Sequence, residues 1–368
     1  MTCRLTYFLS HPIQYQSPLL RRIAQEAGLS FRVIYEKDFS SQAYFDPGFQ
    51  VDVEWDVPLR EGYKSDILAD VSLDDVLRQS DVVWLHGWDS KSMRRVLRRA
   101  FTLRKPILMR GENWYGAMPD GQGVVGMLRR AYHKSIFRRC SAFLSIGTKN
   151  TDYYLGHGIL PEYIFSMPYA VDNAAFKKPS SQDEVLKLRR SVDLAEGQKL
   201  ILYAGKLQRR KNPALLLEAV EQLQQGRENG TKLVIVGDGE MRKSLEASAP
   251  PGTVFTGFKN QSELPVYYAA ADVFVLPSER EPWGLAINEA MAAGTAVVAT
   301  DQCGAAYDLI NNDTGRTAPA GDVNALVSAI ADVLENSTDM GRAARARIAS
   351  WDFEADVLGL KAALEATS

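Results

Sequence analysis

VFVLPSEREPWGLAINEAMAAGTAVVAT, residues 273–300, is the stretch that decides the fold. VFVLP is an apolar run of strand length that gives way to a polar loop. Gly284 then opens a segment, 284–293, that reads as a helix, and AVVAT at 296–300 is a second buried strand. Strands joined through a helix pair in parallel with a right-handed crossover. The alternation continues on both sides. Before it lie the strands LILYA (200–204), LVIVG (233–237) and TVFTG (253–257), with helices at 213–225, 239–248 and 262–270. After it come a helix at 324–334 and two more helical stretches split near Trp351.

The first half repeats the theme. LTYFL, FRVIY, DVVWL, ILMR and AFLSI read as strands, and 18–27, 90–102 and 124–139 as helices. The two series meet at SMPYAVDNAAFKKPSSQDE, where Pro168 and Pro179 with Ser, Asn and Asp between them mark a loop. The expectation is an α/β chain of two doubly wound domains, 1–170 and 171–350. The remaining segment, 351–368, is a helix that can pack back on the first. Ligands in such sheets bind beyond the carboxyl ends of the strands, which places the expected site in a cleft between the domains.

Composition narrows the function classes. The 368 residues are 46% hydrophobic and 24% charged, and 43 Lys and Arg against 45 Asp and Glu leave a net charge of −2. That is an ordinary globular chain, neither disordered nor collagen-like, and its balance gives no reason to expect nucleic acid. Cys3, Cys140 and Cys303 are an odd count at wide spacing, so neither a zinc knuckle nor a disulfide framework is expected. Reduced thiols, a start too short for a signal peptide and no apolar run of membrane-spanning length suggest a cytoplasmic protein.

Two segments carry chemistry. In the first, Glu281 precedes the helix and Glu289 lies inside it, with seven residues between them. The helix start at Trp283, Gly284 and Leu285 offers backbone N–H groups with no intrahelical acceptor, and these with the helix dipole suit a phosphate. A carboxylate such as Glu289 can grip a ribose diol. The second is YAGKLQRRKNPALLLEAV, 203–220. A strand ends at Gly205, and Lys206, Arg209, Arg210 and Lys211 follow before Pro213 opens a helix. Cations at a strand's carboxyl end can neutralise a diphosphate.

Together these segments resemble the retaining glycosyltransferases of family four, which have the GT-B fold of two Rossmann-like domains. Glu281 and Glu289 match the paired-glutamate spacing, and Gly205, Lys206, Leu207 and Lys211 match the phosphate motif. Gly237-Asp238-Gly239 matches a third motif, and Pro168-Tyr-Ala-Val-Asp172 matches the interdomain motif with two positions changed. The resemblance implies a sugar transfer from a nucleoside-diphosphate sugar, UDP-linked by preference, to an acceptor hydroxyl with retention of configuration. It implies that Lys206 and Lys211 hold the diphosphate and that Glu281 meets donor hydroxyls near the reaction centre. Backbone N–H groups from Trp283 to Leu285 meet sugar and phosphate, and Glu289 binds the ribose. Gly205 and Gly237 complete the donor pocket. No metal or other cofactor is implied. Two rivals are a GT-B nucleotide-sugar 2-epimerase and a non-catalytic nucleotide-sugar binding protein. The glutamate pair fits the epimerase less well.

The first half departs from the family pattern. The loop after the first strand, Ser10-His11-Pro12-Ile13-Gln14-Tyr15, has no glycine pair. Glu112, in Arg110-Gly111-Glu112-Asn113, stands where relatives carry a histidine. His11, Arg110 and Glu112 are therefore the acceptor-side candidates, with Glu112 also a catalytic one. His86 ends another strand, and His133 and His157 read as surface residues. Gly121-Gln-Gly-Val-Val-Gly126 fits a dinucleotide glycine pattern literally but lacks the preceding strand that binding requires.

Residues 90–140 hold 13 Lys or Arg against Glu112 and Asp120. The stretch 124–139 interleaves apolar residues with arginine pairs. A basic amphipathic helix of this kind suits a peripheral contact with an anionic membrane through 94–139. A glycan, a lipid-linked molecule or a small molecule are all compatible acceptors.

Overall fold

The computed structural model describes residues 2–117, 121, 123–177, 181–225 and 230–367. They form two compact units: residues 1–43, 57–169 and 352–368 in the first, 44–56 and 170–351 in the second. In chain order the strands are β1 (Cys3–Leu9), β2 (Leu29–Tyr35), β3 (Tyr44–Asp46), β4 (Val51–Val53), β5 (Lys64–Ile67), β6 (Val82–His86), β7 (Ile107–Arg110), β8 (Ala142–Ser145) and β9 (Ile164–Ser166). β10 (Lys199–Ala204), β11 (Thr231–Val236), β12 (Val254–Gly257), β13 (Val273–Leu276), β14 (Ala296–Thr300) and β15 (Gly315–Ala318) follow.

The first unit is a parallel sheet in the order β5-β2-β1-β6-β7-β8-β9. Its central strands β6, β7 and β8 are mostly apolar and buried because helices cover both faces. One face packs Leu19, Leu20 and Ile23 of the first helix with Val357 and Leu360 of the helix Phe353–Ala366. The other packs Val96 and Leu97 of the helix Lys91–Thr102 with Ile136 and Phe137 of the helix Gly123–Phe137. Gly359 is where that last helix touches the sheet: a Cβ there would lie 1.8 Å from the Ser166 carbonyl oxygen.

The second unit is a parallel sheet in the order β12-β11-β10-β13-β14-β15. The helix Leu285–Ala293, between β13 and β14, is buried from Ile287 onward. That is why its sequence, LAINEAMAA, is apolar nearly all round. β3 and β4 form a separate antiparallel hairpin whose residues belong with this unit.

Both sheets reverse their winding once. In the first unit the reversal falls between β1 and β6, and in the second between β10 and β13. Beyond the carboxyl ends at such a point the flanking loops diverge and leave a crevice, the usual ligand position in open α/β sheets. At these points the first unit places His86, at the end of β6, and His11, in the loop after β1, and the second places Lys206, Lys211 and Glu281.

Several elements differ from the sequence reading. The helices Leu73–Gln79, Thr148–Gly156 and Gln182–Ser191, and the short strands β3, β4, β5, β9 and β15, have too few apolar residues for a periodic signal. Residues 178–180 of the linker and Gln122 of the glycine pattern lie outside the described residues. Gly123, in that pattern, begins a helix, and residues 111–117 before it form no strand.

Candidate active site

The second unit's site begins with two loops stitched together. The Arg210 carbonyl accepts the Glu279 N–H at 2.9 Å and the Arg280 N–H at 3.3 Å. Across this seam Lys211 forms an ion pair with Glu281, and Arg210 approaches the same carboxylate at 3.5 Å. The loop after β14 fixes Glu281 from behind, with the Glu281 N–H donating to the Gln302 carbonyl at 2.9 Å and Gly304 N–H to the Glu281 carbonyl at 3.2 Å. Glu281 is buried, so its charge needs this cationic partner.

Gly284 caps the following helix with φ +102°, a left-handed conformation that favours glycine. A Cβ there would also press on Leu276 at 3.0 Å. The first N–H groups of the helix lack intrahelical acceptors and carry its positive dipole end. Glu289, one turn further in, is buried and accepts a hydrogen bond from Tyr268 at 2.7 Å. Burial pushes its carboxyl up to about 7, against the opposing pull of Tyr268 and Lys211. The Trp283 side chain is enclosed: its indole donates to Asn288 at 2.9 Å and stacks on Trp351.

Gly237 owes its glycine to packing. A Cβ there would sit 2.0 Å from the Gly205 carbonyl oxygen, so the loops after β10 and β11 touch backbone to backbone. Lys206 is already engaged. Its ammonium lies 2.9 and 3.0 Å from the two Asp46 carboxylate oxygens and 4.7 Å above the Phe49 ring. Burial raises the Asp46 carboxyl, but Lys206 and the Gly48 and Phe49 N–H groups outweigh it and hold it below its ordinary value. Nothing in the sequence near Lys206 announces this partner, which lies 160 residues away.

In the first unit a polar chain runs across the carboxyl ends of β1, β6 and β7. Tyr7 hydroxyl meets His86 Nδ1 at 2.7 Å, and His86 Nε2 faces Glu112 at 3.7 Å. Tyr169 donates to Glu112 at 2.5 Å and lies 3.4 Å from the Tyr15 hydroxyl. The Glu112 side chain is 35% exposed, the open member of the chain. Burial lifts its carboxyl, but His86, Tyr169 and Arg110 outweigh that, so it stays below its ordinary value and ionised. Tyr7 and Tyr169 were missed in the sequence because an aromatic in an apolar run reads as core. Tyr169 does lie inside the Pro168–Asp172 motif. His11 bonds Ser10 at 2.9 Å and stacks on Phe39, partly exposed.

Two expectations are corrected. Arg110 does not face an acceptor. It is buried, 3.1 Å from Asp356, and donates to the Met167 and Pro168 carbonyls. His133 and His157 are buried: Tyr153 hydroxyl meets His133 at 2.9 Å, and His157 Nδ1 lies 2.8 Å from the Tyr153 carbonyl. Among the described residues no group of three or more His, Cys, Asp or Glu is placed to hold a metal ion, and no helix is long and apolar enough to cross a membrane.

The two parallel sheets, their switch-point loops and the paired glutamates define the GT-B class. Crystalline Anabaena HepE in complex with UDP superposes with a TM-score of 0.77 at 17% identity, over 99% of this chain and 100% of that one. Residues 185–349 match the family Glycosyl transferases group 1. An uncharacterised glycosyltransferase of Methanocaldococcus jannaschii is 39% identical over 32% of this chain and 31% of its own length. A GDP-mannose-dependent alpha-mannosyltransferase of Mycobacterium tuberculosis is 32% identical over 62% and 58%. The chain thus spans less than two thirds of the curated relatives it matches.

Proposed function

We propose that the protein transfers a sugar from a nucleoside-diphosphate sugar to an acceptor hydroxyl with retention of configuration. The observation that carries this reading is the Lys211–Glu281 pair at the β10–β13 switch point, beside an open helix start with Glu289 one turn inside. A diphosphate placed against Lys211 and the N–H groups of residues 284 and 285 would find its growing negative charge met as the anomeric bond breaks. Such preorganised charge acts mostly in the transition state. The bond's electron pair leaves with the diphosphate oxygen. The acceptor oxygen bonds the anomeric carbon on the same face and passes its proton to a donor phosphate oxygen. Glu281 positions donor hydroxyls, and Glu289 accepts from the ribose. On the acceptor side, the ionised Glu112, held by Tyr169 and His86, is a hydrogen-bond acceptor for a sugar or polyol hydroxyl.

Cations fill the charge-neutralising role here, so the reading takes no metal, and a chelator leaves the rate unchanged. UDP is the favoured nucleotide, in keeping with the ligand of the Anabaena structure. Fluorescence thermal shifts with UDP-, GDP- and ADP-sugars test the reading. Ligand at 100 times its dissociation constant adds about 2.7 kcal/mol. Stabilisation by none of the three overturns it. Acceptor-free conversion of the sugar would favour an epimerase, and binding without transfer or donor hydrolysis a binding protein.

The reading extends to a peripheral contact with an anionic membrane. The helix Gly123–Phe137 exposes Val124, Val125, Met127 and Leu128, each at least 63% accessible, ahead of Arg129 and Arg130. Its start follows β7, at the Glu112 end of the unit. An apolar face flanked by arginines suits an interface of lipid tails and acidic headgroups, and a lipid-linked acceptor would be met there. Of the arginines on the helix Lys91–Thr102, Arg99 pairs with Asp74 of the acidic stretch.

A further inference from the structure

We propose that the first unit carries a second anion site, for a phosphate group, at the amino ends of β7 and β8. A cavity of about 610 Å³ opens there, with Phe101, Arg104, Lys105, Arg138, Arg139 and Cys140 in its wall. The segments that build it, 101–106 and 138–141, lead directly into β7 and β8. His86 and Glu112 lie at the opposite edge of the same sheet, so this cavity is separate from them.

Four of the nine lining residues are cationic and none is acidic. Like charges gathered in one concave wall repel each other and raise the local concentration of anions. No carboxylate within the cavity relieves them. Lys105 donates to the carbonyls of Ser80 at 2.6 Å and Arg78 at 3.3 Å. The carboxylate Lys105 senses, Asp81, is already held on both oxygens by Arg4. Arg139 donates to the Ser135 carbonyl and lies 5.7 Å over the Phe101 ring. Among the described residues Arg104 and Arg138 have no ion-pair partner.

Arg104 adopts φ +54°, left-handed, where a residue with a Cβ is unfavoured and glycine is at ease. It ends the helix Lys91–Thr102 in the usual way, with Arg104 N–H donating to the Phe101 carbonyl and Lys105 N–H to the Ala100 carbonyl, both at 3.0 Å. Guanidinium forks match phosphate oxygens in pairs. Phe101, 52% exposed, adds an apolar wall for whatever the phosphate is joined to. The ligand class is therefore a phosphoester, supplied either by a soluble molecule or by a phospholipid headgroup. The site does not depend on the donor reading or on the apolar start of the helix Gly123–Phe137.

Hydrogen exchange of the full chain, read peptide by peptide, tests it with three probes: inorganic pyrophosphate, phosphatidylglycerol vesicles and phosphatidylcholine vesicles. Slower exchange at 101–106 and 138–141 with pyrophosphate supports a soluble phosphoester. Slower exchange there with phosphatidylglycerol alone supports a lipid phosphate. In Arg104→Gly/Arg138→Ser the half-maximal probe concentration should rise at least tenfold. Arg104→Gly suits the left-handed backbone, so loss of binding is not loss of folding. The proposal is overturned by unchanged exchange at both segments with every probe, by protection that survives in the double variant, or by equal protection from phosphatidylcholine. Protection of 123–132 by vesicles without protection of 101–106 separates membrane contact from this site and likewise overturns it.

Discussion

Glu289 shows how much a single position can reveal. Its spacing from Glu281 marked it in the sequence, but the Tyr268 hydroxyl that holds it comes from another helix and has no sequence signature. Its carboxyl titrates near 7 in the folded protein against an ordinary value of 4.5. Between those pH values the folded state keeps a proton that the unfolded state has lost, so stability falls as pH rises through the window. Glu289→Gln keeps an acceptor for Tyr268 and abolishes the charge. It should stabilise the ligand-free protein at pH 8 by about 2–3 kcal/mol and have little effect at pH 4, while weakening nucleoside diphosphate binding. Denaturant midpoints at both pH values check this, and a pH-independent gain would contradict the burial argument. Lys211 belongs to the same scale. Lys211→Ala should lower kcat/KM by about 2–4 kcal/mol, as removal of other preorganised charges does. It also strands a buried Glu281 carboxylate. Adding Glu281→Gln should therefore restore the melting temperature without restoring turnover, and recovered turnover would show that Lys211 served folding alone.

Elements were readable where they are long and periodic. β10, β13, β14 and the helices between them follow from runs such as LILYA and AVVAT, because parallel strands covered on both faces must be apolar throughout. The loops after β10 and β13 carried their charges openly, so most of the second unit's candidate site could be named in advance. The β3–β4 hairpin could not. Its strands are three residues each, and its position against the second unit depends on tertiary contacts such as Asn260 donating to the Glu54 carbonyl at 2.6 Å. That hairpin changes the meaning of Lys206, since a donor diphosphate must compete with Asp46 for its ammonium. Asp46→Asn removes the competitor and should tighten nucleoside diphosphate binding by up to about 1 kcal/mol, roughly fivefold, as expected for a partly exposed charge pair. Isothermal titration of both proteins decides it. Weaker binding in the variant would instead make Asp46 the residue that holds Lys206 in place.

At the scale of the whole molecule, the doubled α/β plan was visible in the strand–helix alternation and in the break near Pro168. The acceptor-side assignment of Arg110 failed for a reason that no local pattern discloses. A strand-end arginine looks like a ligand group until the partner that buries it is known, and that partner, Asp356, lies 246 residues further on. The last helix thus supplies the counter-charge inside the first unit, next to carbonyls that Arg110 also holds. This predicts an asymmetric outcome. Asp356→Ala leaves a buried guanidinium uncompensated and should cost about 3–5 kcal/mol, whereas replacing both partners with apolar residues of similar size, Arg110→Met with Asp356→Leu, should recover much of the loss. Chemical denaturation of the two variants measures the difference. Equal destabilisation would mean that Arg110 stabilises the fold mainly through the Met167 and Pro168 carbonyls, which the double variant leaves without a donor.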